Sequence, residues 1–438
     1  MKTAATPLNG LLKLMQDSRI AGVLLLVAAI ASVIISNSPW SSAFQHLLER
    51  PLGLSFGEGS FSKTLHHWIN DGLMAIFFFV VGLELKREII AGELSDMRKA
   101  MLPVAAAIGG MLVPAAIYTL FNGAGEGSSG WGIPMATDIA FALGVLQLLG
   151  KRVPLSLKVF LTALAVADDI GAVLVIAFFY TSQIDFTSLT TAACILLVMF
   201  AANKAGVRNT TFYAVMGFGT LWLAFLMSGV HPTIAAVLAA FTVPANVKLQ
   251  EDAYVSKLDN LMVRYREAKP NGLPTVTQEQ QHILEDIRES SLHALTPLQR
   301  LEHALHPFVS LFVMPVFAFC NAGFEINEGL ASGWTDPVTI GVFLGLVVGK
   351  LVGVAGVVLL FYKLKWSPLP VGMNMQHVLG AGLLAGIGFT MSLFVAGLAF
   401  PGGALMDNAK LGIVSASLFS GILGYLVISK ASAKGKTE

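Results

Sequence analysis

Charge is what this sequence has least of. Asp, Glu, Lys and Arg make up 13% of its 438 residues, about half the roughly 25% of an ordinary soluble domain. Hydrophobic residues fill 55%, and the mean hydropathy is +0.71. A soluble chain this apolar has too little polar surface to stay dissolved, so the bilayer is its natural solvent. Neither sign of charge dominates: the net charge is +1, and no nucleic-acid partner is expected. Cysteine is nearly absent. Cys194 and Cys320 each sit in an apolar run, which excludes a disulfide framework and a thiolate metal set. An A-x-A cleavage site ahead of a short apolar core is also missing, so Ile20–Ser36 is expected to be a retained first span.

What is abundant is long apolar runs. A helical span needs roughly 20 apolar residues, and twelve segments qualify: 20–37, 65–85, 101–121, 132–149, 156–180, 187–203, 210–227, 230–244, 303–322, 338–362, 376–399 and 409–429. With both termini placed in the cytoplasm, the inside segments collect all but four of the 28 basic residues; Arg50, Lys63 and Lys410 fall outside and Lys350 inside a span. That asymmetry satisfies the positive-inside rule and requires an even number of spans. The expected fold is an all-α polytopic membrane protein of about 12 helices, residues 1–438 forming a single unit surrounded by lipid.

Two segments break the pattern. Residues 245–301 are polar and read as a cytoplasmic connector between spans eight and nine. It holds helices near 251–268 and 277–293, separated by the Pro- and Gly-containing stretch 270–274. Thr296-Pro297-Leu298-Gln299 then has the form of a capping box with Pro at the first helical position. The first outside loop, 47–64, alternates Leu52, Leu54 and Phe56 before Gly57-Glu58-Gly59, which suggests a small β-hairpin.

Ionisable residues inside spans are few: Asp71, Glu84, Asp138, Asp168, Asp169 and Lys350, with His231 at the start of a span. Each Asp or Lys at a helix centre costs about 2.5–3.5 kcal/mol on insertion scales, and such clusters mark ion or proton paths. Asp168 and Asp169 stand adjacent in mid-span. They point about 100° apart on a helix, so both can border one cavity without sharing one face. Two carboxylates in a dry site disfavour their doubly charged form. A small hard cation such as Na⁺ or Li⁺ seeks oxygen ligands, so protons and cation compete for one site, and loading either expels the other. Asp138 precedes an apolar run after Gly132 and Pro134. It reads either as a helix N-cap or as a charge that offsets the positive end of a broken span. Lys350 is too deep to reach the interface easily; it balances a buried Asp or faces the carbonyl end of a broken helix, and a Schiff-base role is the alternative. Gly380, Gly382, Gly386 and Gly388 in span eleven permit close packing or local unwinding.

These residues resemble those of the NhaA family of bacterial sodium/proton antiporters. The similarity covers nearly the whole chain. It is carried by Trp68-Ile69-Asn70-Asp71-Gly72-Leu73-Met74-Ala75, Gly82-Leu83-Glu84-Leu85-Lys86-Arg87-Glu88, Ala136-Thr137-Asp138-Ile139-Ala140-Phe141 and Ala165-Val166-Ala167-Asp168-Asp169. Further on it is carried by Ser228-Gly229-Val230-His231-Pro232-Thr233, Leu301-Glu302-His303-Ala304-Leu305-His306-Pro307, Gly349-Lys350 and Gly386-Ile387-Gly388-Phe389-Thr390-Met391-Ser392. The resemblance implies an inverted repeat in which spans four and eleven cross as broken helices; the family is itself a known instance of that arrangement. It implies that Asp168 and Asp169 bind Na⁺ and carry protons, and that Asp138, Thr137 and Lys350 balance the crossed helix dipoles. It further implies electrogenic exchange, a bacterial inner-membrane location, no cofactor, and a homodimer joined through the 47–64 hairpin in the first periplasmic loop. Glu84, Arg87, Glu88, His231, Glu302, His303 and His306 match positions associated with pH sensing. The chain departs from the family in its longer 245–301 segment and in Leu351, where a Pro often follows Gly-Lys. An intramembrane aspartyl protease, the enzyme alternative, needs aspartates on facing helices; the prominent pair here is adjacent in sequence.

Overall fold

The computed structural model describes residues 18–56, 59–181, 184–269, 273–326 and 333–434. The expected hairpin turn at 57–58, the connector separator at 270–272, and both chain ends lie outside the described residues. The first helix, α1 (Ser18–Ser36), turns by 113° into the short α2 (Ser41–Leu48). Strands β1 (Pro51–Phe56) and β2 (Gly59–Thr64) then pair antiparallel, with Leu52 opposite Lys63 and Leu54 opposite Phe61. This is the hairpin expected from the alternation at 47–64. Trp68 Nε1 donates to Leu52 O at 3.0 Å and ties it to the next helix.

That helix, α3, runs over 65–91 and contains a π-helical turn at Trp68–Leu73. Next come α4 (Met97–Asn122), a 3₁₀ segment Glu126–Met135, α5 (Ile139–Leu148), α6 (Leu155–Phe179), α7 (Phe186–Lys204), α8 (Thr210–Ser228) and α9 (Pro232–Thr242). The 245–301 segment folds as α10 (Glu251–Glu267) and α11 (Gln278–Ala294), packed together through Leu261, Ala268 and Ile283. Its root is stapled: Lys248 N and Leu249 N donate to His293 O, and Leu298 N to Pro244 O. The chain then forms α12 (Pro297–Asn321), capped by Thr296 and Gln299 in the expected capping box. It ends with α13 (Pro337–Lys363), α14 (Met375–Ala385), α15 (Phe389–Ala399) and α16 (Ala404–Lys434).

Among the described residues, seven helices are long and apolar enough to cross a membrane, or up to ten if each bent pair is one span. The chain is therefore a multi-pass membrane protein. Two further apolar helices fall short of that standard for visible reasons. α3 carries Glu84, Lys86, Arg87 and Glu88 near its end, and α9 has only 11 residues.

Burial grades these helices from centre to edge. The most apolar window of α6 is 61% buried, against 11% for α7. An apolar helix left uncovered by protein faces lipid, so α7 is peripheral and α6 central. Close packing at the centre depends on glycine. A Cβ at Gly353 of α13 would lie 2.2 Å from Gly109 O of α4, and one at Gly349 would lie 2.7 Å from Pro114 Cα. Small residues let helix backbones approach where lipid supplies no hydrophobic drive.

Candidate functional site

Two breaks meet at the centre of the bundle. The 3₁₀ segment Glu126–Met135 and α5 are bent by 43° about residues 136–138, and α14 and α15 by 42° about 386–388. Breaking a helix frees carbonyls at one end and N–H groups at the other. Each break satisfies the other's groups. Asp138 N donates to Ile387 O at 2.6 Å, and Thr137 Oγ1 donates to Ala385 O, the last carbonyl of α14, at 2.8 Å. The Asp138 carboxylate caps two helices at once. Its Oδ1 accepts from Phe141 N of α5 at 3.0 Å, and its Oδ2 accepts from Thr390 N of α15 at 3.2 Å and from the Thr390 hydroxyl. Asp138 is thus an N-cap set within the break, and it is only 1% exposed.

Glycine is required at the second break. A Cβ on Gly386 would meet Leu346 O at 2.4 Å, and one on Gly388 would meet Ser392 Oγ at 2.2 Å with Ala136 O at 3.1 Å. Gly386 thus lies against the backbone of α13, and Gly388 against Ser392 of its own helix and the first break.

α6 carries Asp168 and Asp169 past this crossing, 1% and 4% exposed. Lys350 enters from α13, immediately after the π-helical turn Gly345–Gly349. Such turns recur at functional positions because they shift the register of the side chains that follow. Lys350 Nζ lies 2.7 Å from Asp168 Oδ2. Thr137 lies beside the same carboxylate, and Asp169 interacts electrostatically with Asp168, Glu84, Asp138 and Lys350.

Two oxygens of the pair, Asp168 Oδ1 and Asp169 Oδ2, are buried without a hydrogen-bond partner among the described residues. A buried carboxylate oxygen without a partner is costly. Two of them on adjacent residues fit a site completed by protons or by a small oxygen-seeking cation.

The other expected residues separate into two groups. Arg87 links Glu88 (Nη2 to Oε1, 3.1 Å) to Glu302 of α12 (Nε to Oε1, 3.1 Å). Glu84 interacts electrostatically with this cluster and with Asp169. His303 and His306 follow Glu302 on α12, both exposed. His231 belongs elsewhere. It stands at the start of α9, at the hairpin end of the bundle, with its Nε2 3.9 Å from Asp71 Oδ1.

Two residues of this architecture carry little signal in the sequence. Thr390 reads as one more small residue in a glycine-rich run; only the crossing reveals that it holds Asp138. Lys86 reads as a charge at the end of a span, yet its Nζ donates to Phe241 O at 2.7 Å and to Val243 O, the free carbonyls ending α9.

Comparison with known proteins matches residues 12–428 to the family described as Na+/H+ antiporter 1. A Na(+)/H(+) antiporter NhaA of Oleidesulfovibrio alaskensis is 48% identical over 409 residues, covering 93% of this chain and 91% of that protein. One from Acidithiobacillus ferrooxidans is 47% identical over 416 residues, covering 94% and 95%. A Na(+)/H(+) antiporter NhaA 2 of Syntrophotalea carbinolica is 46% identical over 414 residues, covering 94% of each.

Proposed function

The chain belongs to the Na+/H+ antiporter 1 family, and from that premise we propose that it exports Na⁺ or Li⁺ in exchange for protons through Asp168 and Asp169. The observation that carries this reading is the pair of unpartnered buried oxygens, Asp168 Oδ1 and Asp169 Oδ2. A cation entering between them gains oxygen ligands and competes with the Lys350 ammonium for Asp168. Protons occupy the same oxygens when the cation leaves. Two carboxylates hold two protons against one monovalent cation, so the exchange moves net charge.

The crossed breaks supply what a carboxylate pair lacks alone. Asp138 and Lys350 offset the ends of the broken helices, and Thr137 and Thr390 hold the crossing together, so the helices on either side can rock about a fixed centre. With α3 and α9 counted as crossings the spans become twelve, and the two bent pairs that meet at the centre become spans four and eleven of an inverted repeat.

The basic-residue distribution supports an orientation with the 245–301 connector and both termini on the cytoplasmic side; in this reading the membrane is a bacterial inner membrane and the hairpin is a contact between two copies outside. The cluster of Glu84, Arg87, Glu88 and Glu302 then faces the cytoplasm, with His303 and His306 beside it. Histidines and paired carboxylates there make exchange responsive to internal pH. The cargo is Na⁺ and H⁺, and the reaction invokes no resident cofactor.

The test uses everted vesicles carrying an acid interior reported by a pH dye. Added Na⁺ is expected to dissipate the gradient, and Asp168→Asn or Asp169→Asn to abolish that response. Normal exchange in the double variant would overturn the reading.

A further inference from the structure

The hairpin end of the bundle holds a cavity of about 820 Å³ whose wall includes Asp71, His67 and His231. It lies at the far end of α3 from the Glu84 and Arg87 cluster. Asp71 sits in the π-helical turn Trp68–Leu73 and is 7% exposed. Its carboxylate lies between two imidazoles: His67 Nε2 is 2.8 Å from Oδ2, and His231 Nε2 is 3.9 Å from Oδ1. The second imidazole is oriented from behind, since His231 Nδ1 is hydrogen-bonded to Thr233 Oγ1 at 2.8 Å.

This aspartate differs from the structural ones. Asp96, Asp138, Asp185 and Asp336 each accept backbone N–H groups at a helix start. Among the described residues, the Asp71 carboxylate accepts none; the two imidazoles lie within 4 Å of it, neither of them in hydrogen-bonding geometry. The neighbouring His66 is engaged by amides, lying 3.1 Å from Asn321 Oδ1 and 3.2 Å from Asn70 Nδ2. Other titratable groups on the same wall are Cys320 of α12, Asp407 and Lys410 of α16, and Tyr180, Glu49 and Lys63. Lys410 is occupied by Gly323 O at 2.7 Å.

We propose that Asp71, flanked by His67 and His231, is the group through which the hairpin-side mouth takes up protons for the exchange. The inference rests on the antiport reading above. In the uptake step an O–H bond of hydronium in the cavity breaks as one forms on the Asp71 carboxylate, leaving neutral water. The two imidazoles stand where they can relay that proton to or from the carboxylate. A physical link leads inward. The His231 ring stands edge-on to Phe394, with centroids 5.5 Å apart. Phe394 lies one turn along α15 from Thr390, which holds Asp138.

The test uses vesicles with the hairpin end in the lumen, so that luminal and outer pH are set independently. For the unaltered protein, Na⁺-driven proton release is expected to depend on both. Asp71→Asn is expected to lose the luminal dependence and keep the outer one, Asp71→Glu to restore it, and His67→Gln to displace the luminal half-maximum. Thermal stabilisation by Na⁺ in detergent, which reads the Asp168 and Asp169 site, is expected to persist in all three. An unchanged luminal profile in Asp71→Asn, or equal loss on both sides, would overturn the proposal. If Asp71→Asn does not fold, an unchanged profile in His67→Gln together with normal exchange would overturn it. Absence of Na⁺-driven proton movement in the unaltered protein would instead sink the antiport reading itself.

Discussion

Lys350 Nζ lies 2.7 Å from Asp168 Oδ2, and both side chains are 1% exposed. The pair joins α13 to α6 at the depth where the helix breaks cross. Removing one member of such a pair leaves an unpaired buried charge, at a cost of about 3–5 kcal/mol, whereas replacing both with apolar or neutral groups is often neutral. Lys350→Met is therefore expected to lower the unfolding midpoint sharply. Asp168→Asn combined with Lys350→Met is expected to recover most of the loss. A thermal-denaturation cycle in detergent measures this coupling; strictly additive losses would show that the two do not form one unit.

Asp138 serves two helix starts, so its loss should exceed that of a single cap. One N-cap contributes roughly 1 kcal/mol, and Asp138→Ala is expected to cost about twice that. Thr390→Val removes only the hydroxyl partner and should cost less. Both variants are also expected to slow Na⁺-dependent exchange, since the crossing positions Thr137 beside Asp168. Melting curves and vesicle exchange rates check the two halves of this expectation.

Lys86 fastens α3 to the end of α9. A cation at a helix C-terminus contributes up to about 2 kcal/mol in partly buried settings. Lys86→Met is expected to destabilise by about that amount, and Lys86→Arg by less. Hydrogen exchange should localise the change to 240–246. Protection there equal to that of the unaltered protein would contradict the clamp.

At Gly353 the neighbour of an added Cβ is backbone, Gly109 O at 2.2 Å. Backbone in the middle of a packed helix cannot swing aside, and overpacking costs about 1–3 kcal/mol. Gly353→Ala is expected to lower stability by that order. Gly356→Ala, with no atom within 4 Å of the added Cβ, should be tolerated. A comparison of their melting temperatures tests the pair.

The long apolar helices, the helices within 245–301 and the two-stranded hairpin were legible because each rests on local pattern: long apolar runs, capping residues and period-two alternation. Asp168, Asp169 and Lys350 were legible because charge in an apolar span is costly and therefore conspicuous. Thr390 and Lys86 were not, because their roles depend on residues about 250 and 155 positions away. A small hydroxyl and a span-end lysine look ordinary until the fold brings a carboxylate or free carbonyls to them. His231 shows the converse limit. The resemblance groups it with the residues of the Arg87 cluster, while the fold sets it beside Asp71 at the opposite end of α3. The span count was also less plain in three dimensions than in sequence, since α3 and α9 are apolar yet charged or short.

The account stands on competition between Na⁺ and protons for the same two carboxylates. It is tested most directly by adding Na⁺ to the purified protein in weakly buffered detergent and recording proton release across a pH series. The expected result is release of protons on Na⁺ binding, an apparent Na⁺ affinity that weakens as pH falls, and loss of both effects in Asp168→Asn combined with Asp169→Asn. Na⁺ binding of constant affinity across pH, with no proton released, would contradict it.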